Sequence, residues 1–272
     1  MTQAVLQTEL PHAPWLEPAL WRLPGTQPLD PSLWLMRDDA FAGQMAVRDE
    51  LIATAQDRVH ALLPEAREAA AECLDLVLEH CGQQEGYVVR GGHVARPDGV
   101  DVSIDRGHPL ITIGRLVQED MCILQPGGAA EHVLTGAIMC FPASWTLAEK
   151  IGKPLRRIHA PVATYGEDLA VRVQRMFDRL RPETPMWRAN ALLYDKPDLF
   201  QPRRENEETR HISDMGRYLR SERQTIRRLP ETGAIVFAIH TYVVALERLS
   251  DEQRAALFRV AARHKAESEY GE

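Results

Sequence analysis

One hairpin limits the folds open to this chain more than any other feature. Residues 221–242 read "SERQTIRRLPETGAIVFAIHTY". In an extended strand alternate side chains point to opposite faces. Arg220, Glu222, Gln224 and Arg228 then share one face of the first strand, and Ser221, Arg223, Thr225 and Arg227 share the other. The second strand carries Ile235, Phe237, Ile239 and Val243 on one face. Val236, Ala238, His240, Tyr242 and Val244 lie on the other. A strand that is apolar on both faces is a covered, central strand. Its charged neighbour is therefore either an edge strand facing water or the wall of a cavity that holds something anionic. With "PETG" as the connecting loop, Arg223 falls opposite His240. Arg223 and Arg227 then present two guanidinium groups on one face, a pairing suited to carboxylate or phosphate.

The rest of the chain supplies helices and more strands. Residues 1–36 are rich in proline and tryptophan, which predicts an extended arm packing Trp15, Trp21 and Trp34 onto the body. Apolar residues at every third or fourth place predict helices over 43–63 and from Pro64 to the glycine at 82. Strand patterns follow from residue 86 to 142, including the long apolar run "LITIGRLVQEDMCILQP", and suggest an antiparallel meander. Thr146 and Glu149 are spaced as a capping box for a short helix, and "GEDLAVRVQRMFDRL" forms a longer one. "MWRANALLY" reads as a strand, and Ser250 as the N-cap of a final helix. The order helices, strands, helices, strands, helix is not a strict alternation. It predicts an α+β fold built on a mainly antiparallel sheet.

Composition excludes several classes. The chain has 272 residues, is 44% hydrophobic and 26% charged, and carries a net charge of −7. No general attraction to nucleic acid or to anionic membrane is expected. No apolar run is long enough to span a bilayer. The N-terminus lacks the basic start and apolar core of a signal peptide, so a cytoplasmic location is expected. Cys73, Cys81, Cys122 and Cys140 form no Cys-x-x-Cys pair, and buried thiols are expected rather than a cluster or disulfides. Glycine-rich nucleotide loops and the common hydrolase motifs are missing. Any redox work then needs a bound cofactor and a separate electron donor.

Two further stretches carry candidate chemistry. In "VQEDMCIL", alternation sends Glu119 and Asp120 to opposite faces. Either one acid is solvated and the other ion-paired, or one is a polar group on a pocket wall. In "IHAPVATY", His159 lies in a proline-bounded connection, either as a hydrogen-bonded loop residue or as a metal ligand.

The segments "GRLVQEDMCIL", "CFPASWTLAEKIGKPLRRIHAPV" and "RSERQTIRRLPETGAIVFAIHTY" together resemble the α subunit of haem-dependent oxidative N-demethylases. The matching pieces run from about residue 86 to 246, and the tryptophan-rich arm is also similar. Ala163 stands where the family often has a second proline. The resemblance implies a PAS-like central antiparallel sheet flanked by helices, with residues 1–42 as the arm and 43–272 as one haem-binding domain. It implies haem b, a small secondary amine such as dimethylamine, dioxygen, and release of formaldehyde. Electrons would come from a reductase partner carrying flavin and an iron–sulfur centre. On this footing Glu119, His240 and Tyr242 are the expected catalytic residues. His159 is the expected iron ligand, with Arg223, Arg227 and Gln224 holding the cofactor. His132 and His240 are the other histidines expected near the sheet, and His132 is the alternative ligand. A PAS-like haem sensor without turnover and a non-haem structural subunit are the other readings.

Overall fold

The computed structural model describes residues 4–21, 23–128, 131–160, 165–208 and 216–269, with side chains to residue 260. Its helices are α1 (Pro18–Trp21), α2 (Phe41–Thr54), α3 (Gln56–Val59), α4 (Arg67–Gln83), α5 (Pro109–Gly114), α6 (Leu147–Lys150), α7 (Leu155–His159), α8 (Glu167–Arg179) and α9 (Asp251–Glu269). Its strands are β1 (Gln27–Pro28), β2 (His60–Leu62), β3 (Val88–Arg90), β4 (His93–Ala95), β5 (Asp101–Ser103), β6 (Asp120–Pro126), β7 (His132–Ile138), β8 (Met186–Ala189), β9 (Leu192–Tyr194), β10 (Tyr218–Arg228) and β11 (Ile235–Ala245). The main sheet runs β1-β8-β10-β11-β6-β7-β2, with β9 also on β10, and every pairing is antiparallel. Strands β3, β4 and β5 form a separate small sheet. The architecture is α+β.

The hairpin register places Arg223 opposite His240, as alternation requires. Strand β10 is not at an edge: β11 lies on one side of it, and β8 and β9 lie on the other. Directly paired residues share a face. Arg223, Thr225 and Arg227 therefore share a face with His240, Ala238 and Val236, and onward with Met121 and Ile123. This first face packs on the small-residue stripe Ala69, Ala70, Cys73, Leu74 and Val77 of α4, and on Leu110, Ile113 and Trp34. Glu222, Gln224 and Ile226 share the second face with Ile239, Phe237 and Cys122. That face is covered by Leu147 of α6, Leu155 and Ile158 of α7, and Val173, Met176 and Phe177 of α8.

Several expectations are corrected. Residues 109–114 form a helix, not a strand, because Pro109 sits in the first turn and Leu110, Ile113 and Gly114 are buried. Tertiary packing there overrides the β preference of isoleucine. The helix expected to reach residue 63 stops at Val59, and His60–Leu62 pairs with β7 instead. "MWRANALLY" breaks into β8 and β9, because Asn190 turns its side-chain carbonyl to the Glu222 amide. The Thr146 hydroxyl bonds the Glu149 carboxylate directly (2.6 Å) and caps no backbone amide. The proline-bounded connection at 155–159 is a short helix. At α9 the cap is reciprocal: Ser250 Oγ accepts from the Gln253 amide, and Gln253 Oε1 accepts from the Ser250 amide. In the proline-rich N-terminal stretch, Trp15 and Trp34 are buried, and the Trp15 indole donates to the Gln253 carbonyl.

Neither acid of "QED" is solvated, since Glu119 is 1% exposed and Asp120 0%. Arg48 of α2 meets Asp120 at 2.7 Å, with both side chains fully buried. The Arg48 guanidinium also donates to the carbonyls of Gly114, Gln118 and Glu119. Asp120 accepts the amides of Cys140 and Phe141. Its pKa still lies above the ordinary value, because burial outweighs these partners. Arg48→Ala would leave that carboxylate uncompensated, and urea denaturation is expected to show a loss of about 3–5 kcal/mol. The four cysteines are buried and unpaired, and burial pushes Cys73, Cys81 and Cys140 up to about 12. Thiol reagent should therefore label the native protein slowly and find four thiols after denaturation without reductant.

Candidate functional site

The two faces of the sheet carry different chemistry. On the first face His240 is held at both ring nitrogens. Nδ1 lies 3.0 Å from Glu119 Oε1, and Nε2 lies 3.0 Å from Asp38 Oδ2. Glu119 Oε1 also accepts the Met36 amide (2.7 Å). Asp38 accepts from the side chains of Gln7 and Gln118, each at 2.8 Å. Burial alone would lower the His240 pKa, but the flanking carboxylates Glu119 and Asp38 raise it to about 9. Glu119 and Asp38 in turn lie below the usual carboxylate range, since the His240 charge and their hydrogen bonds outweigh burial.

Tyr242 packs on His240 with ring centroids 4.6 Å apart. His12 meets the rings of Tyr242 and Trp187 edge-on at 5.3 and 5.7 Å. Burial, with the Arg223 and His240 charges, lowers His12 to about 4, so its imidazole is neutral. Arg223 donates to the carbonyls of Leu33 (2.6 Å) and Trp34 (3.3 Å) and lies over the Trp187 ring. Arg227 lies 4.9 Å above the Trp34 ring. Two cations, Arg223 and His240, thus face two carboxylates, Glu119 and Asp38. With both nitrogens engaged, His240 has no lone pair to offer a metal. The cluster joins β11 to the segment before α2, and Gln7 adds main-chain and side-chain bonds to Val243.

The second face holds His159, Gln224 and Arg188. His159 Nδ1 lies 2.9 Å from the Leu155 carbonyl, one helical turn back. That carbonyl can only accept, so Nδ1 carries the proton and Nε2 keeps its lone pair. Burial, with the Lys150 and Arg188 charges, lowers the His159 pKa and keeps the ring neutral. The ring stacks on Tyr165 at 4.2 Å. Gln224 donates to Glu222 Oε2 (3.0 Å) and accepts from Arg188 (2.9 Å). Partly buried Phe237, Met186, Trp145 and Ile158 border the apolar cluster beside them. His132 lies on this face too, edge-on to Phe177 at 5.2 Å, with Nδ1 beside Gln174 and Nε2 buried without a partner. Residues 161–164, which follow α7, lie outside the described residues, and Ala163 falls among them.

The expected single site is therefore divided. Glu119, His240, Tyr242, Arg223 and Arg227 lie on one face, and His159 and Gln224 serve the other. A flat macrocycle against either face cannot touch both sets. Asp38, Gln7, His12 and Arg188 join these clusters although nothing in the sequence reading selected them. Asp38 reads as a helix-start acid and does accept the Ala40 amide. His12 reads as an arm residue. Arg188 carried the clearest signal, sharing a face with Met186 on a strand beside a charged one.

The first cluster predicts a pH dependence of stability. The folded pKa of His240 lies above its ordinary 6.5, so its contribution is complete below 6.5 and lost as pH rises through about 9. Asp38 and Glu119 are depressed, so theirs is present above the usual carboxylate range and lost as pH falls through their lower values. Urea denaturation between pH 6 and 10 should show an alkaline decline totalling about 3 kcal/mol, flattened in His240→Gln.

Residues 25–269 match the family model described as haem-dependent oxidative N-demethylase, alpha subunit-like. That match covers most of the chain, including every strand of the main sheet and both clusters apart from Gln7 and His12. The chain belongs to the haem-dependent oxidative N-demethylase alpha-subunit-like family.

Proposed function

We propose that this chain is the haem-b-bearing subunit of an oxidative N-demethylase for a small secondary amine, with His159 as the iron ligand on the second face of a PAS-like sheet. The observation that carries this reading is the Leu155 carbonyl at His159 Nδ1, which leaves a neutral imidazole with an available Nε2. The surroundings fit a porphyrin: an apolar cluster, a partly buried rim of Phe237, Met186 and Ile158, and a partly buried cation in Arg188. His240 is committed at both nitrogens, and the unpartnered Nε2 of His132 is buried in a ring packed edge-on against Phe177.

Haem bound here would supply the oxygen chemistry that oxidises an N-methyl group and releases formaldehyde. The chain's own residues would orient and enclose. The Leu155 carbonyl holds the His159 ring, Tyr165 stacks against it, and Phe237 and Ile239 keep water from the sheet side. Glu119, His240 and Tyr242 lie on the opposite face. On this reading they position β11 and the N-terminal segment and take no part in the oxidation. Electrons would enter from a reductase partner with flavin and an iron–sulfur centre. No metal-binding cluster of histidine, cysteine or acidic residues occurs among the described residues. Nor is any described helix long and apolar enough to cross a membrane.

The test is absorbance of the purified protein with haem, followed by oxygen uptake and formaldehyde release with dimethylamine and a reductase. A Soret band with amine-dependent uptake is expected. His159→Ala should lose the wild-type ferric spectrum and most of the haem. A wild-type spectrum in His159→Ala with loss in His132→Ala would move the ligand, and a Soret band without uptake would favour a sensor.

A further inference from the structure

Most buried cations among the described residues have acidic partners. Arg48 has Asp120, Arg96 has Asp49 and Asp98, Lys150 has Glu205, and Arg220 has Glu222 at 3.5 Å. On the first face Arg223 and His240 are balanced by Glu119 and Asp38. Arg188, partly buried on the second face, breaks the pattern. No ion pair reaches it among the described residues. Its only described hydrogen bond is to a neutral amide, Gln224 Oε1, and its buried Nε has no partner. Glu222, the nearest acid to act on it, is already shared among Arg220, Asn190 and Gln224.

Nor is Arg188 loosely placed. Glu222 holds the Gln224 amide so that its oxygen faces Arg188. The guanidinium is thus oriented by a chain running from Arg220 through Glu222 and Gln224. Desolvating part of a cation without an anion beside it is unfavourable, and a site can carry such a cation when an anion is its normal occupant. Arg223, Arg227 and Arg228 of β10 also have no ion pair among the described residues, but Arg223 and Arg228 are met by main-chain carbonyls, and the partly buried Arg227 has the Trp34 ring beneath it in place of an anion.

Building on the haem reading above, we propose that Arg188, oriented by Gln224, is the anchor for a carboxylate of the porphyrin on the His159 face. Strand β8 places Arg188 directly opposite Gln224, and its neighbour Met186 opposite Ile226. Both strands border the apolar cluster over which α7 carries His159. A planar group with one apolar body and acidic side arms fits this combination, and a small free anion does not use the apolar part.

The experiment compares haem with its dimethyl ester, which keeps the ring and iron but lacks the acids. Binding is followed by Soret titration of wild type, Arg188→Ala, Arg188→Lys and Arg227→Ala, each checked for folding by circular dichroism. A charge-assisted hydrogen bond predicts that wild type holds haem about ten- to a hundredfold more tightly than the ester. Arg188→Ala should bind the two equally, and Arg188→Lys should recover part of the preference. Equal binding by wild type, or loss of the preference in Arg227→Ala but not in Arg188→Ala, overturns the anchor while leaving the haem reading intact. If Arg188→Ala does not fold, the Arg188→Lys and wild-type comparisons still decide it. No Soret band with either compound in wild type overturns both readings.

Discussion

Burial of the charged side chains of β10 is the constraint on which the rest of this structure depends. An interior strand cannot leave guanidinium groups without acceptors. Three of the four are met by main-chain carbonyls from irregular segments or helix ends, and Arg227 lies over the Trp34 ring. Arg220 takes those of Phe141 and Leu199, Arg223 those of Leu33 and Trp34, and Arg228 those of Phe177, Leu180 and Gly233. Such segments have carbonyls to spare because no ladder or helical turn consumes them. The proline-rich residues before α2 thereby gain a defined path. Their prolines block regular structure, and the carbonyls this leaves open are what Arg223 requires.

The sheet then acts as a partition. Its first face is closed: two cations face two carboxylates, and small side chains of α4 let the helix approach closely. Such a cluster stabilises a docked segment but leaves no open coordination position. The second face is covered by short helices, α6 and α7, and by the amphipathic α8. It is apolar with a partly buried rim, and it carries Arg188. Proteins place ligands where a packed scaffold meets short, adjustable elements.

Long-range pairing explains why the two faces were not separable beforehand. The His240–Asp38 contact spans 202 residues, and the Arg223–Leu33 contact 190. Alternation tells which side chains share a face of a strand. It does not tell which distant element covers that face. Arg223 and His159 could therefore be grouped by chemistry while lying on opposite sides of one sheet.

Sequence alone determined the α+β class, the amphipathic α8, the Ser250 cap of α9 and the Arg223–His240 register. Each rests on short-range periodicity or turn chemistry, which a few neighbouring residues set. It also carried the family, through long segments in a constant order. Tertiary structure alone decided that β10 is interior, that residues 109–114 are helical and that His60–Leu62 is a strand. It alone brought Asp38 to His240 and left Arg188 without an anion. These outcomes depend on what packs against each segment, because burial, not local preference, sets the cost of an unpaired charge or an uncovered apolar face.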